Sequence, residues 1–378
     1  MAFDLARWLP LFPVRNNCLY LNHAAVAPLP QPVADAMRAR IGESESTGAH
    51  DWDRWREAEL SVRALAAQLV GCPGDDVTIV RSTSEGLSLV AQGIAWKRGD
   101  VVLVGAEEFA ANVAPYLALE NRGVVVRRFP TPGGRIITDS VEPLLSPPVR
   151  MVALSWVAFH SGWVAPVAEI ASLARERGIL VVLDAIQGAG VLPATVGELG
   201  VDAFVADGHK WLLGPEGAGI LVTRPELRQR LAPVLAGWCN VKHPRGDLFL
   251  HALEFHADGR KFEPGSLPTV LVAGLAAALE LLGEVGLPEV HSRVTSLART
   301  LTHHLLQEGW QVLSPGASHP IAGIVAAKHP FLPADEVVGR LRQRRIEVSA
   351  RQGMVRFSPH FYTTVGELDA LQVILRKL

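Results

Sequence analysis

The sequence predicts an α/β chain: a large domain on a mostly parallel sheet flanked by helices, plus a smaller C-terminal α+β domain. Three observations predict it. The apolar runs 179–183 and 203–206 are short and unbroken, and each ends on an acid, Asp184 and Asp207, as strands buried on both faces do. Runs of this kind alternate with helical patterns from residue 76 to 222, the signature of a parallel sheet covered by helices. Beyond residue 285 helices and short strands form a second, smaller block. The boundaries read as 20–265 for the large domain and 1–19 with 285–378 for the small one, linked by a long apolar helix over 269–283.

Composition narrows the classes of function. A chain of 378 residues is long enough to bury such a core, and its formal net charge of -2 gives no field that draws nucleic acid or an anionic membrane, so neither is expected as a partner. Cys18, Cys72 and Cys239 form neither a paired nor a metal-like spacing, which predicts a reducing, cytoplasmic setting and no metal site. The first twelve residues hold an acid, an arginine and a proline, so no secretory leader is expected. No apolar run approaches the roughly 18 residues of a membrane span.

In chain order, 18–21 reads as a short strand. Residues 22–30, with Asn22 and His23, form a turn of small residues that is either an ordinary connection or the edge of an active site. Residues 32–42 read as a helix. Polar residues then surround His50, Trp52 and Trp55, and the two tryptophans either cap a pocket or anchor the next helix, 57–70. A strand over 76–80 leads through Ser82-Thr83-Ser84 to the helical run 87–95. Those hydroxyls are either plain N-caps or an anion site, because unpaired N–H groups and the helix dipole both favour anions.

Strands at 101–104, 124–129 and 149–154 follow. The first leads into Glu107-Glu108-Phe109, and the last into residues 155–162, where His160 is expected to be exposed and near a substrate. A helix at 167–177, a glycine-rich turn at 214–219 and a strand at 220–222 complete the alternation. The polar stretch 242–260 reads as a solvated loop whose histidines, His243, His251 and His256, lack a ligand spacing. In the last block, helices at 287–308 and 333–344 alternate with strands at 312–313, 323–327, near 348 and at 355–358. Arg356 stands on the last strand, either as a surface charge or as a fork for a carboxylate.

Between the two buried runs lies Lys210, flanked by His209 and Trp211. An acid at a strand end and a lysine so placed are either a salt-bridged pair at the edge of the core or parts of a site. One chemistry needs both. Pyridoxal phosphate is held as a Schiff base on a lysine able to lose its proton, and an acid keeps the pyridine nitrogen protonated so that the ring accepts electrons. Lys210 suits the first role and Asp184 the second, with Gln187 in reach of the phenolic oxygen.

Asp184-x-x-Gln187 followed by His209-Lys210-Trp211-Leu212-x-Gly214-Pro215-x-Gly217-x-Gly219 resembles the cofactor site of fold-type I, class V aminotransferase-like enzymes. That family includes cysteine desulfurases, selenocysteine lyases, isopenicillin N epimerase-like proteins and kynureninases. The resemblance covers nearly the whole chain and implies the PLP-dependent transferase fold, pyridoxal 5'-phosphate as cofactor, an amino-acid substrate and a homodimer. It implies a phosphate cradle at Thr83 and Ser84, His209 beside the cofactor, and a ring stacked on it at Phe109, where desulfurases carry histidine. The stretch Phe262-Glu263-Pro264-Gly265-Ser266 is similar to a segment whose hydroxyl reaches the partner subunit's phosphate, so Ser266 implies shared active sites. Arg356 is implied to grip the substrate carboxylate, with His23 and His160 near the substrate. Asp207 stands where many desulfurases have a phosphate-binding serine, and an acid there either turns away or bonds a backbone amide.

The same resemblance separates the reactions. In desulfurases a loop before the substrate arginine carries a nucleophilic cysteine; here it reads Ala350-Arg351-Gln352-Gly353, which disfavours a persulfide mechanism. The chemistry left to Lys210 as base and acid is abstraction of the Cα proton, followed by β-elimination, epimerisation or transamination. The expected enzyme is isopenicillin N epimerase-like with a β-lyase (C–S lyase) or aminotransferase outcome. A kynureninase-like hydrolase, an amino-acid epimerase and, in another class, a non-catalytic PLP-binding sensor are the alternatives. No G-x-G-x-x-G follows the first strand, which argues against a nicotinamide dehydrogenase.

Overall fold

A computed structural model describes residues 3–50, 52–243, 249–250, 252–314 and 319–378. In chain order the strands are β1 (Leu19–Tyr20), β2 (Val77–Val80), β3 (Val101–Gly105), β4 (Val125–Phe129), β5 (Val149–Ser155), β6 (Leu180–Asp184), β7 (Ala203–Asp207), β8 (Gly219–Thr223), β9 (Gln311–Val312), β10 (Val325–Lys328), β11 (Ile346–Glu347), β12 (Ser349–Arg351) and β13 (Met354–Phe357). The longer helices are α1 (Gln31–Thr47), α2 (Trp52–Val70), α3 (Thr83–Gly93), α4 (Val167–Glu176), α5 (Thr269–Val285), α6 (Leu287–Gln307), α7 (Ala334–Gln343) and α8 (Val365–Leu375).

The large domain is organised on a seven-stranded sheet of order β2-β8-β7-β6-β5-β3-β4. From β4 across to β7 the neighbours pair in parallel. β8 is antiparallel to both β7 and β2, since the connection 208–218 is shorter than the crossover of about a dozen residues that a parallel neighbour needs. Two reversals return β2 to the common direction, so the carboxyl ends of β2, β3, β5, β6 and β7 share one edge. Along β6, Val181 and Leu183 enter one apolar cluster while Leu180 and Val182 enter another. Both faces are therefore covered, which is why the run shows no polar alternation.

Helix α5 packs against α1 and α2. The smaller C-terminal domain carries an antiparallel sheet of order β12-β13-β10-β9. Leu297 and Leu301 of α6, Val337 and Leu341 of α7, and Leu368 and Leu371 of α8 bury its apolar cluster. β1 pairs in parallel with β11, and Asn22 bridges Ser358, so the first strand is seated against the C-terminal part of the chain.

The helix expected over 32–42 runs further, and Trp55 takes one of its two open readings. The polar segment around His50 is largely helical: α1 runs on to Thr47, with the Ser46 and Thr47 hydroxyls donating to the carbonyls of Gly42 and Glu43. Trp55 lies under the Arg40 guanidinium at 3.4 Å, so this ring joins α1 to α2 rather than capping a pocket. Of the loop at 242–260, His251 lies outside the described residues. No single helix among the described residues is long and apolar enough to cross a membrane.

Candidate active site

The strand ends on the shared edge open into a cleft of 360 Å³. Ala24 to Val26 form one wall, held there by the Ala27 N–H, which donates to the His209 carbonyl at 2.7 Å. Ser82, Thr83 and Ser84 at the start of α3 form another, and Phe109, Phe159, Ile186 and Gln187 close the sides. Lys210, Asp207, His209, Arg351 and Arg356 also line the cleft.

Lys210 owes its place to tight backbone packing. Gly208 donates to Ala218 O at 2.9 Å and Gly214 to Gly208 O at 2.8 Å, and a Cβ on Gly208 would stand 2.6 Å from Ala218 O. Burial pushes the Lys210 amine down to about 8, Asp184 pulls it upward, and Arg356 adds to the fall. Asp184, at the end of β6, accepts from the Ile186 N–H at 3.1 Å. Burial pushes its carboxyl up to about 6 against the Ile186 amide and Lys210. Gln187 is buried, with Nε2 donating to Ala24 O at 2.9 Å and Oε1 accepting from the Trp211 indole at 2.8 Å.

Ser82 caps α3 by accepting the Glu85 N–H. With Ser82 spent on the helix, Thr83 and the exposed Ser84 are the hydroxyls turned to the cleft. Gly86 lets α3 lie close on β7, where a Cβ would come 2.5 Å from Val205 Cγ1. Asp207 ends that strand, and its N–H donates to Thr83 Oγ1 at 3.2 Å. Asp207 neither turns away nor bonds a backbone amide: it lines the cleft, Oδ2 lies 3.1 Å from His209 Nδ1 outside hydrogen-bond geometry, and Oδ1 is buried without a partner.

Phe109 is 47% exposed and edge-on to Phe159 at 5.2 Å, with the Lys210 Nζ 5.9 Å from its ring centroid. Its ring is thus open to a planar group. Arg356 on β13 is 1% exposed; Nη1 donates to Phe159 O at 2.8 Å, while Nε and Nη2 are buried with no partner. Burial, then the Arg351 charge, pushes its guanidinium below its usual range.

Four of the residues expected near substrate or cofactor do not line this cleft: Asp184, buried at the end of β6, and His23, His160 and Ser266. His23 is fully buried, with Nδ1 facing Ser358 O at 2.9 Å and Nε2 facing Tyr362 Oη at 2.8 Å, so both ring nitrogens are engaged in the core. The adjacent alanines line the cleft instead. His160 is buried rather than exposed, with Nε2 3.5 Å from Glu107 in a neighbouring crevice, and it is the preceding Phe159 that reaches the cleft. Ser266 is exposed and outside the cleft of its own chain.

Two residues escaped the sequence reading. Glu108 is partly buried, accepts from the Ser155 N–H at 2.7 Å and from the Ser155 hydroxyl, and is pushed up to about 7 by desolvation, with the Asp184 charge adding to the rise. Arg351 was visible only as part of a cysteine-free loop, and it is the pairing of β12 with β13 that puts it on one face with Arg356. No group of three or more His, Cys, Asp or Glu among the described residues is arranged to hold a metal ion.

The donor set fits pyridoxal phosphate: an amine with a lowered pKa, a buried carboxyl at a strand end, an exposed ring, hydroxyls at a helix N-terminus, and an arginine with two unused buried donors. Comparison with known proteins agrees with this. The family model Aminotransferase class-V matches residues 19–371. A probable cysteine desulfurase of Aeropyrum pernix is 31% identical over 357 residues, covering 90% of this chain and 85% of the relative. An uncharacterised aminotransferase of Bacillus subtilis, YcbU, is 26% identical over 95% of this chain and 94% of its own. Among solved structures, the complex of the cystine C–S lyase C-DES with its product cysteine persulfide superposes with a TM-score of 0.90 at 26% identity, covering 97% of this chain and 99% of that one. The chain belongs to the aminotransferase class-V family of fold-type I, pyridoxal-phosphate-dependent enzymes.

Proposed function

We propose that the chain is a pyridoxal-phosphate-dependent C–S lyase that releases sulfur from an amino acid by β-elimination. The observation that carries this reading is the make-up of the cleft: Lys210 and Arg356 share it, and none of its lining residues among those described is a cysteine. Cys18, Cys72 and Cys239 lie elsewhere, and burial pushes all three thiols up, Cys72 to about 12, so none offers a thiolate near neutral pH. The names of the relatives point to sulfur amino acids and lend no support to the epimerase-like or kynureninase-like outcomes. The desulfurase names sit beside a chain whose own cleft lacks the thiol that a persulfide mechanism needs.

In this reading the Arg356 fork takes the α-carboxylate through Nε and Nη2. The Lys210 amine takes the Cα proton, Asp184 stands ready to hold a protonated pyridine nitrogen, and Phe109 covers the ring. When bound, pyridoxal phosphate supplies the electron sink for charge leaving Cα. The Cα–H and Cβ–S bonds break, the proton leaves with sulfur as a thiol, and water releases pyruvate and ammonium. Thr83 and Ser84 cradle the phosphate, with His209 and Gln187 beside the cofactor. Ser266, exposed and outside its own cleft, suits the partner's site in a homodimer, and the three unpaired cysteines suit the cytoplasm.

The test uses the cofactor-loaded enzyme and its triple variant Cys18→Ala/Cys72→Ala/Cys239→Ala with L-cystine and S-substituted cysteines. Pyruvate, ammonia and free sulfur product, formed equally by both proteins, are expected. Alanine as the carbon product, or a loss of about tenfold or more in the triple variant, sinks the reading; turnover that depends on an added keto acid favours the aminotransferase.

A further inference from the structure

We infer that Arg351 is a second anion receptor in the same cleft, and that it selects amino acids whose side chain ends in a carboxylate. The inference rests on reading the cleft as an amino-acid site, whatever bond is then broken. Its starting point is the β12–β13 hairpin. Gln352 and Gly353 both have positive φ, 51° and 74°, as a two-residue hairpin turn that follows the sheet twist requires. That turn sets Arg351 opposite Met354 and Ser349 opposite Arg356. Residues opposite one another point to the same face, so Arg351 and Arg356 are diagonal neighbours on one face, with backbones about 7–8 Å apart.

Both guanidiniums line the cleft beside Lys210, yet their surroundings differ. Arg356 is the inner one, pinned by Phe159 and carrying two free donors, enough for one carboxylate held by two bonds. Arg351 is the outer one, at the end of the hairpin. Its only hydrogen bond among the described residues is Nη1 to Ala350 O at 2.7 Å, and no acid there pairs with it. Its charge bears on both Arg356 and Lys210. A substrate with one carboxylate satisfies Arg356 and leaves Arg351 uncompensated. A second carboxylate at the far end of the side chain removes that imbalance, and the planar fork matches a carboxylate better than a point charge would.

The test is binding to the cofactor-loaded enzyme, read from the change in cofactor absorption on titration with L-2-aminoadipate and with L-norleucine. Their side chains have equal length and end in a carboxylate or a methyl group. Wild type is expected to bind L-2-aminoadipate about tenfold or more tightly than L-norleucine. Arg351→Gln is expected to bring the ratio of the two constants close to one, and Arg351→Lys to retain part of it. Because the readout is a ratio, any general weakening of the pocket cancels. Equal affinities in wild type, or a preference that survives Arg351→Gln, overturn the inference. L-Cystine turnover measured alongside tests the C–S lyase reading separately, since neither titrated ligand carries sulfur.

Discussion

The Trp211 indole donates to Gln187 Oε1 at 2.8 Å, which ties the residue after Lys210 to the turn after Asp184. The same amide donates onward to Ala24 O, so three stretches far apart in sequence meet at one buried side chain. Trp211→Phe removes the donor and leaves a buried oxygen unsatisfied, at an expected cost of about 1–3 kcal/mol. Gln187→Leu is expected to cost a similar amount by stranding the indole N–H. Denaturant unfolding of the cofactor-free variants measures both.

Covalent capture of pyridoxal phosphate reports on Lys210 directly. Only the neutral amine attacks, and the amine is pushed down to about 8 by burial. The capture rate of the cofactor-free protein is therefore expected to rise about tenfold per pH unit below that value and to level off above it. Stopped-flow absorbance follows the reaction, and Lys210→Ala is expected to show no covalent phase. A rate that keeps climbing to the ordinary lysine range contradicts the burial argument.

Asp184→Asn separates chemistry from stability. Without the acid, turnover is expected to fall about 10²–10⁴-fold. Because burial already disfavours the Asp184 charge, raising its pKa to about 6, the neutral amide is expected to leave Tm unchanged or higher. A variant that loses Tm along with activity marks Asp184 as structural.

His23 predicts an acid limb of stability. The Ser358 carbonyl needs a donor, so Nδ1 carries the proton and Nε2 accepts from Tyr362. Burial pushes the ring down to about 4, below its unfolded value of 6.5. The unfolded chain then binds more protons in between, so this contribution is complete above the unfolded value and is lost as pH falls towards the folded one. His360, also buried and lowered, acts in the same direction. Glu108, raised by burial to about 7, acts oppositely and weakens the fold as pH rises through that window. Unfolding midpoints from about pH 7 to pH 5 in His23→Gln and Glu108→Gln separate the two, with the first variant flattening the acid limb and the second deepening it.

Most strands of the large sheet were legible because they are buried on both faces and so read as unbroken apolar runs; the edge strand β4, with Arg127 and Arg128, is mostly exposed. The antiparallel turn of β8 was hidden, since periodicity does not report direction. The candidate site divides in the same way. Asp184 and Lys210 announced themselves locally, as charges at the ends of buried runs beside glycines. The two histidines did not: His23 turns into the core onto Tyr362, and His160 turns to Glu107, while Ala24, Ala25 and Phe159 beside them face the cleft. By itself the sequence determined the family, the fold class and the lysine–acid pair, because these depend on residue type and spacing along one stretch of chain. Only the tertiary structure decided that Arg351 and Arg356 share a face, that Asp207 lines the cleft and that the charges of Glu108 and Asp184 meet. Which way a side chain points, and which charges it meets, is set by packing between segments distant in the chain.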